Sequence, residues 1–316
     1  MRILAASAAL AVTMLAGCGG GASSGGRPSS SAADPTATTA PTATTATPSG
    51  PTATLLAVGD IADCGSKHDD AVGALLQKTP GEIALLGDIA YESGTASEFT
   101  RCYQPAFGAL RDRVHPAPGN HEYESKNAAP YFAYFGTAAA KPGEGWYSYD
   151  VGTWHVIALN SNCGSIGGCG DSSAQTNWLR ADLAAARARG AACSLAYYHH
   201  PRFSSGLHGD NDFMATTWNV LATNGVDIVL SGHDHDYERF APMSAKGARD
   251  RNGTREFVVG TGGKSLYPVL FPSSTSEKHQ DDSYGVLQLT LKPGSYSWSF
   301  LPSEGSFHDD GTGTCH

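Results

Sequence analysis

The stretch SGHDHDYERF, residues 231–240, sets His233 and His235 two positions apart directly after the apolar run VDIVL. On a strand, alternate residues face one side, so both imidazoles would point the same way. Past the end of a buried strand, both could turn into one site. Similar endings recur along the chain, where apolar runs finish in Asp60, Asp88, Asn120, Asn160, His199 and His233. In open α/β sheets, sites form beyond the carboxyl ends of the strands. A single Asp in that place is an ordinary turn or N-cap residue. A series of Asp, Asn and His endings is the pattern of a metal site.

Asp60, Asp88, Asn120, His199, His233 and His235 are hard oxygen and imidazole donors, a mixture that first-row divalent and trivalent metals accept. A carboxylate can bridge two ions, and a pair ~3.5–4 Å apart would clamp an in-line phosphoryl displacement. Other signatures fail on a required residue. GTGGKS (260–265) lacks the first P-loop glycine, since that position is Val258. HEYES begins like HExxH but has Ser125 in the place of the second histidine. HDHDYE departs from an HxHxDH pattern at Tyr237 and Glu238. Asn252-Gly253-Thr254 has the form of a glycosylation sequon and reads as a plain turn. Trp146, Tyr147 and Tyr149 read as strand core.

The elements that must position these donors follow from periodicity. ATLLAVGD (53–60) and EIALLGD (82–88) are apolar runs that both end in Gly-Asp. Val72, Leu75 and Leu76 lie between them at helical spacing, stopped by Pro80 and Gly81, which predicts a parallel βαβ unit. Further strands are expected over RVHPAPGN, TWHVIALN, SLAYYHH and VDIVLSGH, with helices over 172–190 and around 213–222. The later chain reads as β-rich, with EFVVGTGG and then a hairpin turning at Pro293-Gly294.

The first residues read as export rather than fold. Arg2 precedes an apolar stretch from Ile3 to Ala16, too short to span a bilayer and suited to a secretory signal. Leu15-Ala16-Gly17-Cys18 resembles a bacterial lipobox, which implies a lipid on Cys18; the alternative is an ordinary signal peptide cut elsewhere. Residues 19–53 are all Gly, Ala, Ser, Thr or Pro apart from Arg27 and Asp34. Such a segment cannot bury apolar surface, so a disordered tether is expected before a domain spanning 54–316. The chain has 21 basic and 30 acidic residues. Setting aside Arg2, Arg27 and Asp34 leaves 19 and 29, a formal charge of −10 on the domain. That argues against nucleic acid as a partner, and against membrane contact beyond the Cys18 anchor. Six of the seven cysteines follow Cys18, and an even count in an exported chain suggests three disulfides. Cys163 with Cys169 is the simplest pairing; Cys64–Cys102 and Cys193–Cys315 complete one of the several connectivities open to six cysteines.

The ordered motifs GD (59–60), GDIAY (87–91), GNHE (119–122), YYHHP (197–201) and GHDHDYER (232–239) resemble those of calcineurin-like metallophosphoesterases, and GDxxY resembles the purple acid phosphatase branch. The resemblance covers nearly the whole chain from Thr54. It implies an α/β fold of two mixed β-sheets packed as a sandwich flanked by helices, with a binuclear metal site at the strand C-terminal ends. It implies one metal held by Asp60, Asp88, Tyr91 and His235, a second held by Asp88, Asn120, His199 and His233, and Asp88 as the bridge. Fe(III) is expected at the Tyr91 site, where tyrosinate binding gives a purple colour, with Zn, Mn or Fe(II) at the other. The wider family has a histidine where this chain has Ala62 and the branch commonly has glycine, so Tyr91 supplies the ligand otherwise missing. His121 and His208 are the implied catalytic histidines, and His199 and His200 could exchange roles. The expected activity is hydrolysis of small phosphate esters outside the cytoplasm by a metal-bound hydroxide, most simply of monoesters. A phosphodiesterase acting on nucleotides or lipid head groups, and a non-catalytic phosphate- or metal-binding surface lipoprotein, are the alternatives.

Overall fold

The computed structural model describes residues 50–316. The signal, the lipobox and the tether up to residue 49 lie outside the described residues. β1 (Ala53–Val58) and β2 (Glu82–Leu86) pair in parallel from Leu55↔Glu82 to Val58↔Leu85, with α1 (His68–Lys78) between them, as the periodicity predicts. Ala53 already pairs with Leu291, one residue ahead of the boundary drawn from composition at Thr54. β3 (Val114–Ala117) extends this sheet on one side. On the other lies the long hairpin of β11 (Gly285–Lys292) and β12 (Ser295–Pro302), turning at Gly294 with φ 76°.

The second sheet takes β4 (Tyr147–Val151), β5 (Trp154–Ala158), β6 (Cys193–Tyr197), β7 (Ile228–Ser231), β8 (Tyr237–Phe240), β9 (Arg255–Val259) and β10 (Ser276–Gln280). With β13 (Asp310–Thr314), the strand orders are β13-β12-β11-β1-β2-β3 and β10-β8-β9-β7-β6-β5-β4. Both sheets mix parallel and antiparallel pairs.

Alternation along β1 shows why its run is apolar throughout. Leu55 and Ala57 face the second sheet, where they meet Trp154, Val156, Leu195 and Leu230. Leu56 and Val58 face outward onto Val72 and Leu76 of α1. A strand buried on both faces has no polar side to show. The second sheet is covered in the same way, with Ile157, Ala196 and Val229 under Leu179 and Leu183 of α2 (Ala174–Ala188) and Trp218 of α3 (Ala215–Thr223). The result is helix, sheet, sheet, helix, the architecture the motifs implied.

β8, β10 and β13 were not read from sequence. SEKHQ and DGTGT carry no apolar alternation, because β10 and β13 are sheet edges held by backbone pairing to one neighbour. The six cysteines pair as Cys64–Cys102, Cys163–Cys169 and Cys193–Cys315. Among the described residues, no helix is long and apolar enough to cross a membrane.

Candidate metal centre

The donors converge because the two sheets deliver different chemistry to the same edge of the sandwich. β1, β2 and β3 end just before Asp60, Asp88 and Asn120, and β6 and β7 end just before His199 and His233. Oxygen donors therefore come from the first sheet and imidazoles from the second. Asp60, Asp88 and His233 have φ of 62°, 48° and 71°. Non-glycine residues in this left-handed region are strained by about 1–3 kcal/mol, and such residues cluster at functional sites. Gly87 has φ 89°, and a Cβ there would stand 2.6 Å from the His199 ring. At Gly119 a Cβ would reach 2.1 Å from Asp88 Oδ1. The glycines of the motifs are thus space for ligands.

Asp88 is 2% exposed and stands at the middle of the cluster. Its Oδ2 lies 3.1 Å from His199 Nε2 and 3.3 Å from the Tyr91 hydroxyl. Asn120 Oδ1 lies 3.0 Å from the same His199 nitrogen. Asp60 Oδ1 is 2.9 Å from the Tyr91 hydroxyl and 3.3 Å from His235 Nε2, which is itself 3.1 Å from that hydroxyl. Tyr91, Asp60, Asp88 and His235 form one group, and Asp88, Asn120 and His199 the other. The His233 ring centroid lies 5.0 Å from that of His199. Asp60, Asp88 and His199 each present a ligand atom within 4.8 Å of the others, as do His199, His200 and His233.

His199 Nδ1 donates to the Leu86 carbonyl at 2.9 Å. Since a carbonyl only accepts, this bond puts the proton on Nδ1 and frees Nε2 to ligate. His200 Nδ1 instead pairs with Ser161 Oγ at 2.8 Å. Of the two adjacent histidines, His199 meets both Asp88 and Asn120. Asn160 stays outside the cluster, its amide donating to the Tyr123 hydroxyl and the Glu144 carbonyl.

The electrostatics suit a site that takes cations. Burial opposes charge on His199, yet the Asp88 carboxylate beside it raises its pKa to about 9. Burial and the neighbouring His199 push His200 down to about 3 and, with His200, also lower His233. Burial, Asp60 and Asp88 hold the Tyr91 phenol well above its usual range. A proton on His199 balances Asp88. Two metal ions would replace that proton and supply the charge needed to make Tyr91 a phenolate, so the donor set fits them.

The two expected catalytic histidines stand at the mouth. His121 donates its backbone N–H to Asp88 Oδ1 at 2.9 Å, and its side chain is 28% exposed with Nε2 3.8 Å from Asp88 Oδ2. The His208 ring lies 4.3 Å from that of His233. Its Nδ1 meets Asp234 Oδ1 at 3.0 Å, and that bond, ahead of the burial opposing it, raises its pKa.

Other residues that support this site were missed in the sequence. Glu122, fully buried, accepts backbone N–H groups from Asp88 (3.0 Å), Ile89 (2.8 Å), Ala90 (3.3 Å) and Gly119 (2.7 Å). It welds the GDIAY and GNHE loops together, and its place three residues after Gly119 is a capping-box spacing that could have been read. The acids between the histidines have separate work: Asp234 accepts from the Ser204 hydroxyl and His208 N, and Glu238 accepts from Ser205 N. The Lys264 ammonium pairs with Asp63 at 2.7 Å and with Glu92. Tyr267 stacks on His235 with centroids 4.2 Å apart, and Ser265 Oγ lies 3.3 Å from His235 Nδ1. The rejected P-loop lookalike thus opens a loop that backs the Tyr91 group.

The family model for calcineurin-like phosphoesterases matches residues 53–237. The chain belongs to that family. Purple acid phosphatase 15 of Arabidopsis thaliana is 25% identical over 285 residues, covering 77% of this chain and 51% of the relative. Human (Homo sapiens) acid phosphatase type 7 is 28% identical over 275 residues, covering 74% and 61%. The chain spans about half the length of the curated relatives it matches. The purple acid phosphatase from yellow lupin (Lupinus luteus) seeds superposes with a TM-score of 0.72 over 84% of this chain and 54% of that one, at 17% identity. The sandwich is thus the fold of this family.

Proposed function

We propose that this chain is an exported two-metal phosphoesterase that hydrolyses small phosphate monoesters. The observation that carries this reading is the meeting of Asp60, Asp88, Tyr91, Asn120, His199, His233 and His235 at one edge, with Asp88 between the two groups. Tyr91, Asp60, Asp88 and His235 would hold Fe(III). Asp88, Asn120, His199 and His233 would hold Zn, Mn or Fe(II). When bound, the ions supply a hydroxide near neutral pH and neutralise the phosphate oxygens.

The remaining work belongs to the chain. His121, beside Asp88 and open to solvent, is placed to protonate the leaving oxygen. His208 donates its Nδ1–H to Asp234 Oδ1, which holds its ring beside that of His233. Gly87 and Gly119 keep the ligands close, and Glu122 holds both ligand loops in register. Export is supported by three disulfides, which persist in oxidising compartments, and by the lipobox-like start, which would anchor the domain through Cys18 and a tether.

The test is phosphate release from an aryl monoester and a matched diester. It uses the full chain supplied with iron plus zinc or manganese, and Asp88→Asn as control. Monoester turnover that falls at least about a hundredfold in the variant supports the reading. Preference for the diester makes the chain a phosphodiesterase. Bound metal without turnover of either ester makes the cluster a binding site on a non-catalytic lipoprotein.

A further inference from the structure

Among the described residues, the large apolar side chains left exposed are Leu207 at 67%, Phe213 at 48%, Leu270 at 68% and Phe271 at 88%. Scattered single exposures are ordinary, but clustered ones mark binding surfaces. Each of the four packs on a histidine of this edge or lies within four residues of a side chain that does. Phe213 meets His200 ring to ring at 5.4 Å. Leu207 precedes His208, which packs on His233. Leu270 and Phe271 follow Tyr267, which stacks on His235.

Leu207 on one loop and Pro268, Leu270 and Phe271 on another wall a cup of about 320 Å³, completed by Ser204 and Gly206. That volume is at the small end of small-molecule sites. Both walls are pinned. Ser273 N donates to Ser205 Oγ at 2.8 Å, and Val269 N donates to Asp281 at 2.7 Å. No charged side chain lines the cup. His208 and Tyr267, which adjoin its two walls in sequence, are 5.7 Å apart ring to ring, and each also touches a histidine of the metal cluster. The residues next to the cup's two walls, His208 and Tyr267, thus stand beside the metal edge.

We infer that this cup seats the apolar alcohol of a phosphate ester whose phosphate lies at the metal centre. The inference rests on the phosphoesterase reading and names its substrate class. A cup without charge on a domain of net charge −10 suits an uncharged alkyl or aryl alcohol better than a second anionic group. The reaction is unchanged: the P–O bond to the alcohol breaks, a water oxygen takes its place on phosphorus, and the alcohol leaves with a proton.

The test is kcat/KM for n-alkyl phosphates from ethyl to octyl, below their micellar concentrations, on the metal-loaded full chain. Leaving-group acidity barely changes along this series, so chain length reports the cup. The expected rise is up to about fourfold per methylene, the value for full burial, until the cup is full. Leu270→Ser with Phe271→Ser, both at exposed positions, flattens the rise. A flat series in the native chain, or a rise that survives in the double variant, overturns the inference while leaving the phosphoesterase reading intact. Absence of turnover on every ester sinks both. A flat series together with binding to neutral phosphatidylcholine vesicles, lost in the double variant, makes the face a membrane contact and overturns the substrate assignment.

Discussion

Lys264 holds its ammonium 4.9 Å from the centre of the Tyr91 ring, while its backbone N–H donates to the Asp60 carbonyl at 3.1 Å. One residue thus touches two members of the same ligand group, through a cation–π contact and through the main chain. A cation over a phenolate stabilises the electrons that the ring would donate to a ferric ion. In ferric-loaded protein, Lys264→Met is expected to move the visible tyrosinate charge-transfer band to longer wavelength, and Lys264→Arg to leave it near its original place. An absorption spectrum decides this. An identical band in Lys264→Met would mean that the ammonium serves only to hold Asp63 and Glu92.

Glu122 can be tested without changing shape. In Glu122→Gln, one oxygen becomes an amide that confronts two of the four N–H groups now bound by the carboxylate. Two buried donors lose their acceptor, at about 1–3 kcal/mol each. The expected loss is about 2–6 kcal/mol, read as a lower urea midpoint at unchanged slope. A shift below about 0.5 kcal/mol would show that the two loops hold their register without it.

His155 gives a pH signature far from the metal edge. Its Nε2 lies 2.7 Å from Asp182 Oδ2 and its Nδ1 3.1 Å from Asp150 Oδ1. Burial opposes its charge, but the bonds to Asp182 and Asp150 raise its pKa; burial raises Asp182, but His155 and Ser148 hold it down. The raised His contributes stability below its unfolded value of ~6.5, lost as pH climbs through its folded value. The lowered Asp contributes above its unfolded value of ~3.9, lost as pH falls through its folded value. The Tm difference between native and His155→Gln is therefore expected to be largest between about pH 4 and 6.5 and to shrink on the alkaline side. A difference that grows above pH 8 would contradict the pairing.

The disulfides should differ in weight. Cys193–Cys315 closes a separation of 122 residues and Cys163–Cys169 one of 6. Loop-closure entropy grows with length, so replacing the first pair by serines is expected to cost about 2–4 kcal/mol and the second pair less. Calorimetry of the two double variants ranks them, and a larger loss for Cys163–Cys169 would mean that its loop is needed for local packing.

How much of this was legible from residue order differs by element. β1 and β2 show as continuous apolar runs and α1 and α2 through periodic burial, and Asp60, Asp88, Asn120, His199 and His233 show because each follows an apolar strand. β10 and β13 do not show, since edge strands are held by backbone bonds that leave no trace in side-chain type. The sequence by itself determined which donors exist and that they end strands. It also carried the family motifs and the even cysteine count. Only the tertiary structure decided that His199 rather than His200 meets Asp88, because the choice depends on which ring finds the Leu86 carbonyl. It alone brought Glu122 under two loops, Lys264 over Tyr91, and Leu207 opposite Phe271. Those contacts are set by how strand ends and loops converge, and separations from 32 residues for Glu122 and Ala90 to 173 for Lys264 and Tyr91 leave no local pattern to read.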